Sequence, residues 1–382
     1  MFESYLFPIG YAFLAFPIAA ALFTMPFLIV QYRRHGYIHM YRALLLYLLL
    51  LYLLNALFLV ILPMPASLHN EPPNVASYVQ LIPFRFIGDI ARETAVQADN
   101  PSTYWHLLTE RAFLQVVFNV LLTVPFGMFL RYYFRVRSVT CSFATLALSL
   151  LFEITQVTGI YGLFDYPYRL FDVDDLMTNT AGGMIGFAAA AWLSAHLPRI
   201  DKLDERVDLT KKRVSYTRRA VALALDGLVL LPVLAVLAVM RTADVFPLLA
   251  AAYFIGLPYA AGGRTFGKWA VRIRLRGMGE GIRVRDLLVR YGLLYGPATG
   301  VPALGLIGLP PAFLGLYLPA MFLYYAFIAF DLLRGVLNRS RFPFHDRKAG
   351  TGHVIDPARG TQHKGETPAK ADFVPAGTKG TL

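Results

Sequence analysis

"YRALLLYLLLLYLLNALFLVIL", residues 41–62, carries one charge, Arg42, at its start and one amide, Asn55, within an otherwise apolar and aromatic run. A helix of that length rises about 33 Å, enough to cross the roughly 30 Å hydrocarbon core of a bilayer. Similar runs recur at about 6–30, 112–131, 138–160, 176–197, 219–240, 245–262, 286–308 and 311–333. The bulk composition agrees: 57% hydrophobic, 14% aromatic and only 16% charged residues exclude an ordinary water-soluble domain. Short alternating segments of the kind that build an outer-membrane barrel are missing, so the expected class is all-α, a polytopic helical membrane protein of about nine transmembrane helices.

The formal net charge of +12 orients those helices. Arg33, Arg34 and Arg42 follow the first run; Arg131, Arg135 and Arg137 separate the third from the fourth. Further cations fill the loops from Arg199 to Arg219 and from Arg264 to Arg285, and the tail from Arg334 to Lys348. All fall on one side if the N-terminus is outside and the C-terminus inside, which is the arrangement that the positive-inside rule selects. The basic excess is thereby assigned to topology and to anionic membrane lipids, and nucleic acid is not expected as a partner. The first residues contain Glu3 and no basic cluster, which argues against a cleaved signal peptide. The lone Cys141 allows no intramolecular disulfide.

A change of composition divides the chain. "PRIDKLDERVDLTKKRVSYT", beginning at 198, is densely charged between two apolar regions. The expected domains are therefore a membrane domain over 1–197 with five spans, a charged cytoplasmic linker over 198–213, a second membrane domain over 214–356 with four spans, and a polar Gly-, Pro- and Lys-rich disordered tail over 357–382.

Polar side chains inside the spans point to a site. Glu153 and Gln156 stand three residues apart on one helix face, with Ser149 a turn earlier. Asp175, Asn179, Gly182 and Gly186 share a face of the next span, and Gly182-x-x-x-Gly186 permits close helix approach. With Asn119 from the third span, these groups reach one depth beneath an outer loop holding Arg169, Asp172 and Asp174. An ionised group costs about 2.5–3.5 kcal/mol at the centre of a span on insertion scales, so a cluster of this kind implies either a site or polar contacts that pin helices together. Arg169 is the expected counter-ion of Glu153. Without a nearby His or a spaced Glu, the aspartates do not complete a metal ligand set, and neither a metal nor another cofactor is expected.

"NVLLTVPFGMFL", "SLLFEITQ" and "YRLFDVDDLMTNTAGGMIG", supported by "LIPFRFIGD" at 81–89, together resemble the VanZ-like family over roughly residues 30–197. The resemblance implies a bacterial envelope protein of the cytoplasmic membrane, in a family whose founding member is associated with low-level teicoplanin resistance. It carries over Asn119, Glu153, Gln156, Arg169, Asp172, Asp174, Asp175, Asn179, Gly182 and Gly183. In the second half, "YTRRAVALALDGLVLLP", "GGRTFGKWAVRIRLRG" and "FHDRKAGTGHVI" resemble the RDD family over about 214–356, with Arg219 or Arg218, Asp226 and Asp346 at the matching positions. Some members of that family are reported to support sodium or proton antiport. The spacing from the arginines to Asp226 lets them meet only if an arginine reaches inward, and Val271, Ile273 and Leu275 alternate as in an interfacial strand or hairpin.

Three functions follow as expectations. The first is an envelope protein binding or protecting against an envelope precursor or lipoglycopeptide ligand through an outward-facing polar site. The second is a transporter of ions or small molecules that uses Glu153 or Asp226, and the third a membrane enzyme acting on a lipid-linked substrate with a carboxylate as acid or base. No nucleophile stands in a recognisable motif, so no reaction is singled out, and nothing in the sequence sets an oligomeric state.

Overall fold

The computed structural model describes residues 2–73, 77–97, 99–205, 207, 213–277, 281–307, 311–338 and 342–356. The expected tail from 357 onward, and residues 206 and 208–212 of the linker, lie outside the described residues. Helix makes up 73% of the structure, and the described strands form just two two-stranded sheets, so no barrel closes. Among the described residues, six helices are long and apolar enough to cross a membrane: Phe7–His35, Met40–Ile61, Arg111–Tyr132, Ser138–Val157, Tyr216–Val239 and Gly315–Leu337.

The other three expected spans take different forms. The run at 176–197 is a helix, Val173–Leu193, whose glycines, alanines and polar residues hold its hydropathy down. The run at 245–262 is a shorter apolar helix, Phe246–Ala260, containing a π-helical turn at Ala252–Gly256. The run at 286–308 is helical as far as it is described, within a helix over Val284–Ile307, and is not one of the six.

The chain divides into two units, Met1–Thr24 with His39–Glu205, and Met25–Ile38 with Arg206–Leu382. The first helix, α1 (Phe2–His35), contributes to both. In unit 1 it is followed by α2 (Met40–Ile61), strand β1 (Val79–Gln80), a short α3 (Arg85–Glu93), a 3-10 helix over Pro101–Thr109, α4 (Arg111–Tyr132) and α5 (Ser138–Val157). A turn, α6 (Gly159–Gly162), then reverses the chain with Ile160 and Tyr161 in the left-handed region, and leads to β2 (Phe171–Asp172), which pairs with β1 in parallel. The long α7 (Val173–Leu193) and a 3-10 helix over Ile200–Asp204 complete the unit.

The centre of unit 1 is a helix pair set by small residues. Asn119 contacts Asp175, Thr123 bonds the carbonyl of Asn179, a Cβ on Gly127 would meet the backbone of Gly183, and Arg131 stands over the ring of Phe187. Each pair is 56 positions apart in sequence, so α4 and α7 run parallel in one fixed register. A Cβ on Gly182 or Gly186 would strike the carbonyl of Val120 or Val124, so the backbones approach as only glycine allows. On the other side of α7, α5 runs antiparallel: Cys141 and Thr145 lie against Gly183, Ser149 against Asn179, and Glu153 against Asp172.

In unit 2, α8 (Tyr216–Val239) begins with Ser215 capping the N–H of Arg218 at 3.2 Å. The short helices α9 (Phe246–Ala251), α10 (Leu257–Ala260) and α11 (Phe266–Ala270) precede β3 (Ile273–Gly277). Helices α12 (Val284–Ile307), α13 (Pro311–Leu337) and α14 (Phe344–Ala349) then lead to β4 (Thr351–Ile355), antiparallel to β3. Of the alternating Val271, Ile273 and Leu275, the last two lie in β3 and Val271 in the turn that leads to it, and all three are buried. Phe254, Leu275, Leu287 and Tyr291 form an apolar core beside it.

Candidate functional site

The loop entering α7 is organised by three acids with different duties. Asp172 is the N-cap, its carboxylate accepting the Asp174 N–H at 2.8 Å. Asp174, 4% exposed, accepts the N–H groups of Phe84 and Phe86 at 2.7 and 3.0 Å and so caps the start of α3. Asp175 accepts from the Asn119 amide at 2.5 Å. Glu153, 3% exposed, accepts the Asp172 backbone N–H at 2.9 Å, and Asn179 donates to Ser149 Oγ at 2.8 Å while its carbonyl receives Thr123. Six of the eight expected pocket residues are thereby linked across α4, α5 and α7.

Gln156 and Arg169 go elsewhere. Gln156 Nε2 donates to the Val60 carbonyl at 2.8 Å, Tyr168 to that of Ile61 at 3.2 Å, and Arg169 to that of Leu62 at 3.0 Å. Three successive carbonyls at the C-terminal end of α2, where the helix has no partners of its own, are thus satisfied by side chains, and a cation suits that end of the helix dipole. The expected Glu153–Arg169 pair is therefore corrected. Glu153 is served by a backbone amide, because β2 carries the loop's own N–H to it, while exposed Arg169 turns to α2.

Between α3, α4 and the start of α7 lies a pocket of about 50 Å³, lined by Asp89, Gln115, Asp172, Asp174 and Asp175 beside Phe86. A water takes about 30 Å³, so the space admits one small polar group, not a whole sugar or peptide. Burial, and then the charge of Asp174, push the Asp172 carboxyl above the usual carboxylate range, against the opposing hydrogen bond from the Asp174 N–H. Asp89 lies 3.9 Å from Arg85 and 3.7 Å from Arg92. Neither Asp89 nor Gln115 was expected at the site; Gln115 stands four residues before Asn119, a spacing that placed it on the same face. No group of three or more His, Cys, Asp or Glu placed to hold a metal occurs among the described residues.

Residues 45–194, which contain all of these groups, match the VanZ/LLP1 family. This stretch is a VanZ-like domain. Protein VanZ of Enterococcus faecium is 33% identical over 93 residues, 24% of this chain and 53% of that protein, so the chain spans about half the length of the curated relative it matches. No solved structure matches the chain. The glycines carried over from the family resemblance, Gly182 and Gly183, lie in the VanZ-like domain at the contacts of α7 with α4 and α5.

The charged positions of unit 2 separate into two buried centres. Asp226, 1% exposed, accepts from Tyr253, from Thr265 and from the Gly267 N–H, each at 2.7 Å, with Lys268 Nζ at 3.9 Å. Asp346, fully buried, is held by Arg219 at 3.0 Å and by Arg290. Among the described residues Arg218 bonds no acid: its guanidinium donates to the carbonyls of Val271, Gly36 and Arg272 at 2.7, 2.7 and 2.9 Å. An arginine could meet Asp226 only by reaching inward, and neither does: the start of α11, its N-cap Thr265 and Gly267 in its first turn, serves Asp226 instead, and both arginines bind other groups. Gly36 belongs to the segment 25–38 that falls in unit 2 with Arg218.

Proposed function

We infer that this chain is a multi-pass protein of the bacterial cytoplasmic membrane, N-terminus out and C-terminus in, whose VanZ-like domain engages an envelope or lipoglycopeptide ligand from outside. The observation that carries this reading is the small acidic pocket at the head of α7, with exposed Arg169 on the same loop. Asp172 and Asp175 accept a ligand amine or hydroxyl, and Arg169 attracts an anionic group. Asp174 is assigned to the fold, since both of its oxygens serve α3. The domains in this reading are 1–197, the linker 198–213 and an RDD-like domain over 214–356.

Ion transport through Asp226 is the second reading. A buried acid within 4 Å of a buried lysine supports it, but three hydrogen bonds to the carboxylate favour a structural role. In cells challenged with teicoplanin, Asp175→Asn and Arg169→Ala are expected to lower the protective concentration several-fold while membrane abundance stays at the wild-type level. Protection that falls only in proportion to abundance would reject the ligand-site reading. Sodium- or pH-driven flux in proteoliposomes that Asp226→Asn abolishes in a folded protein would favour transport.

A further inference from the structure

At the far end of the α4–α7 pair from the acidic pocket, the parallel register brings two helix C-termini together and leaves a cavity of about 540 Å³. Arg131, Arg135 and Arg199 line it, against a single carboxylate, Asp201. Arg131 stacks on Phe187 with its guanidinium carbon 4.4 Å from the ring centre, and Arg135 lies 3.2 Å from Asp201. A hydrogen bond with its own backbone and then the charge of Arg135 hold Asp201 below the usual carboxylate range, so it neutralises one guanidinium of the three. Arginines that serve only to orient a membrane protein need no cavity around them, whereas this one has a wall fixed in place. Arg42, 2% exposed, forks onto Asp204 at 2.9 and 2.7 Å and bonds the Ile200 carbonyl at 3.1 Å, while Tyr132 holds the Pro198 carbonyl at 2.6 Å. These bonds fasten both ends of the segment that presents Arg199 and Asp201.

We propose that this cavity is a binding site for a phosphate group, carried as a monoester on a lipid headgroup or free in solution, gripped by Arg135 and Arg199 with Asp201 as the group that the phosphate displaces from Arg135. The volume lies within the roughly 300–1,000 Å³ of ligand sites, and the guanidinium fork matches phosphate oxygens two at a time. The cavity is separate from the acidic pocket and stands whether or not that pocket binds a ligand.

The test uses the full chain in a neutral detergent, titrated calorimetrically with dihexanoyl phosphatidic acid, with inorganic phosphate, and with dihexanoyl phosphatidylcholine as the zwitterionic control. Phosphatidic acid is expected to bind saturably and the control not to bind. Arg135→Gln and Arg199→Gln should each weaken binding roughly tenfold, as loss of a charge-assisted contact does. Asp201→Asn should tighten it, an effect that misfolding cannot imitate. Phosphate that binds with the same variant pattern supports recognition of a free phosphate; binding of phosphatidic acid alone supports a lipid source. The proposal is overturned if neither anion binds, if neither arginine substitution changes the affinity, or if Asp201→Asn leaves binding equal or weaker.

Discussion

Asp174 and Asp175 are adjacent in sequence, yet the fold gives them opposite duties. Substituting Asp174 by Ala leaves the N–H groups of Phe84 and Phe86 without an acceptor, which is expected to cost about 1–3 kcal/mol and to appear as a lower melting temperature with faster proteolysis near α3. Asp175→Asn keeps a side-chain oxygen for Asn119 and is expected to melt near wild type. Equal loss of stability in both variants would remove this distinction. From sequence the two acids are indistinguishable members of one loop; the difference arises because residues 84–86 come from about ninety positions earlier to meet one carboxylate and not the other. Arg169 shows the same limit: its presence over the acids was legible, but the carbonyls left open at the end of α2 compete for it and win.

At the scale of elements, the α4–α7 pair leaves no room for a Cβ at Gly127, Gly182 or Gly186. Gly186→Val places a branched side chain against the Val124 carbonyl and is expected to destabilise by about 1–3 kcal/mol or more, read as lost folded protein in the membrane fraction. Gly10→Ala, at a helical glycine with nothing within 4 Å, serves as the control and should leave the yield unchanged. The Gly182-x-x-x-Gly186 spacing advertised a close contact but not its partner. The carbonyls of Val120 and Val124 become the partners of Gly182 and Gly186, and Gly127 that of Gly183, through the 56-residue register, which is a property of two helices and cannot be read from either one.

Two predictions concern the whole molecule. Cysteines introduced in the 66–108 and 161–174 loops are expected to label from outside intact cells, and those at 200–215 only after permeabilisation; the reverse pattern would put the acidic pocket on the cytoplasmic side. The second is a pH dependence of unit 2. Burial, and then the charges of Arg290 and Arg219, push His345 down to about 3, and burial lowers His353 as well. A histidine whose folded value lies below its unfolded one contributes stability that is complete above about pH 6.5 and is lost as pH falls toward 3. Thermal unfolding should therefore shift downward across that window, with α14 and β4 cleaved first by an acid-tolerant protease. His345→Gln should flatten the dependence, and an unchanged slope would exclude His345 as its source.

The sequence by itself determined the solvent of this protein and the inventory of its polar groups. Long apolar runs leave a bilayer as the only medium that solvates them, the uneven arginines predict an orientation, and the acids and amides of 119–179 stand out because so few polar groups share their surroundings. Only the tertiary structure decided who meets whom: Glu153 with a backbone amide, Arg169 with α2, Asp226 with the start of α11, Asp346 with two arginines. The physical reason lies in range. Hydropathy and helical periodicity act within one segment and are written in its residues, whereas a buried charge takes the nearest strong partner in space, and many backbone N–H and C=O groups competing for that place are invisible until the chain has folded.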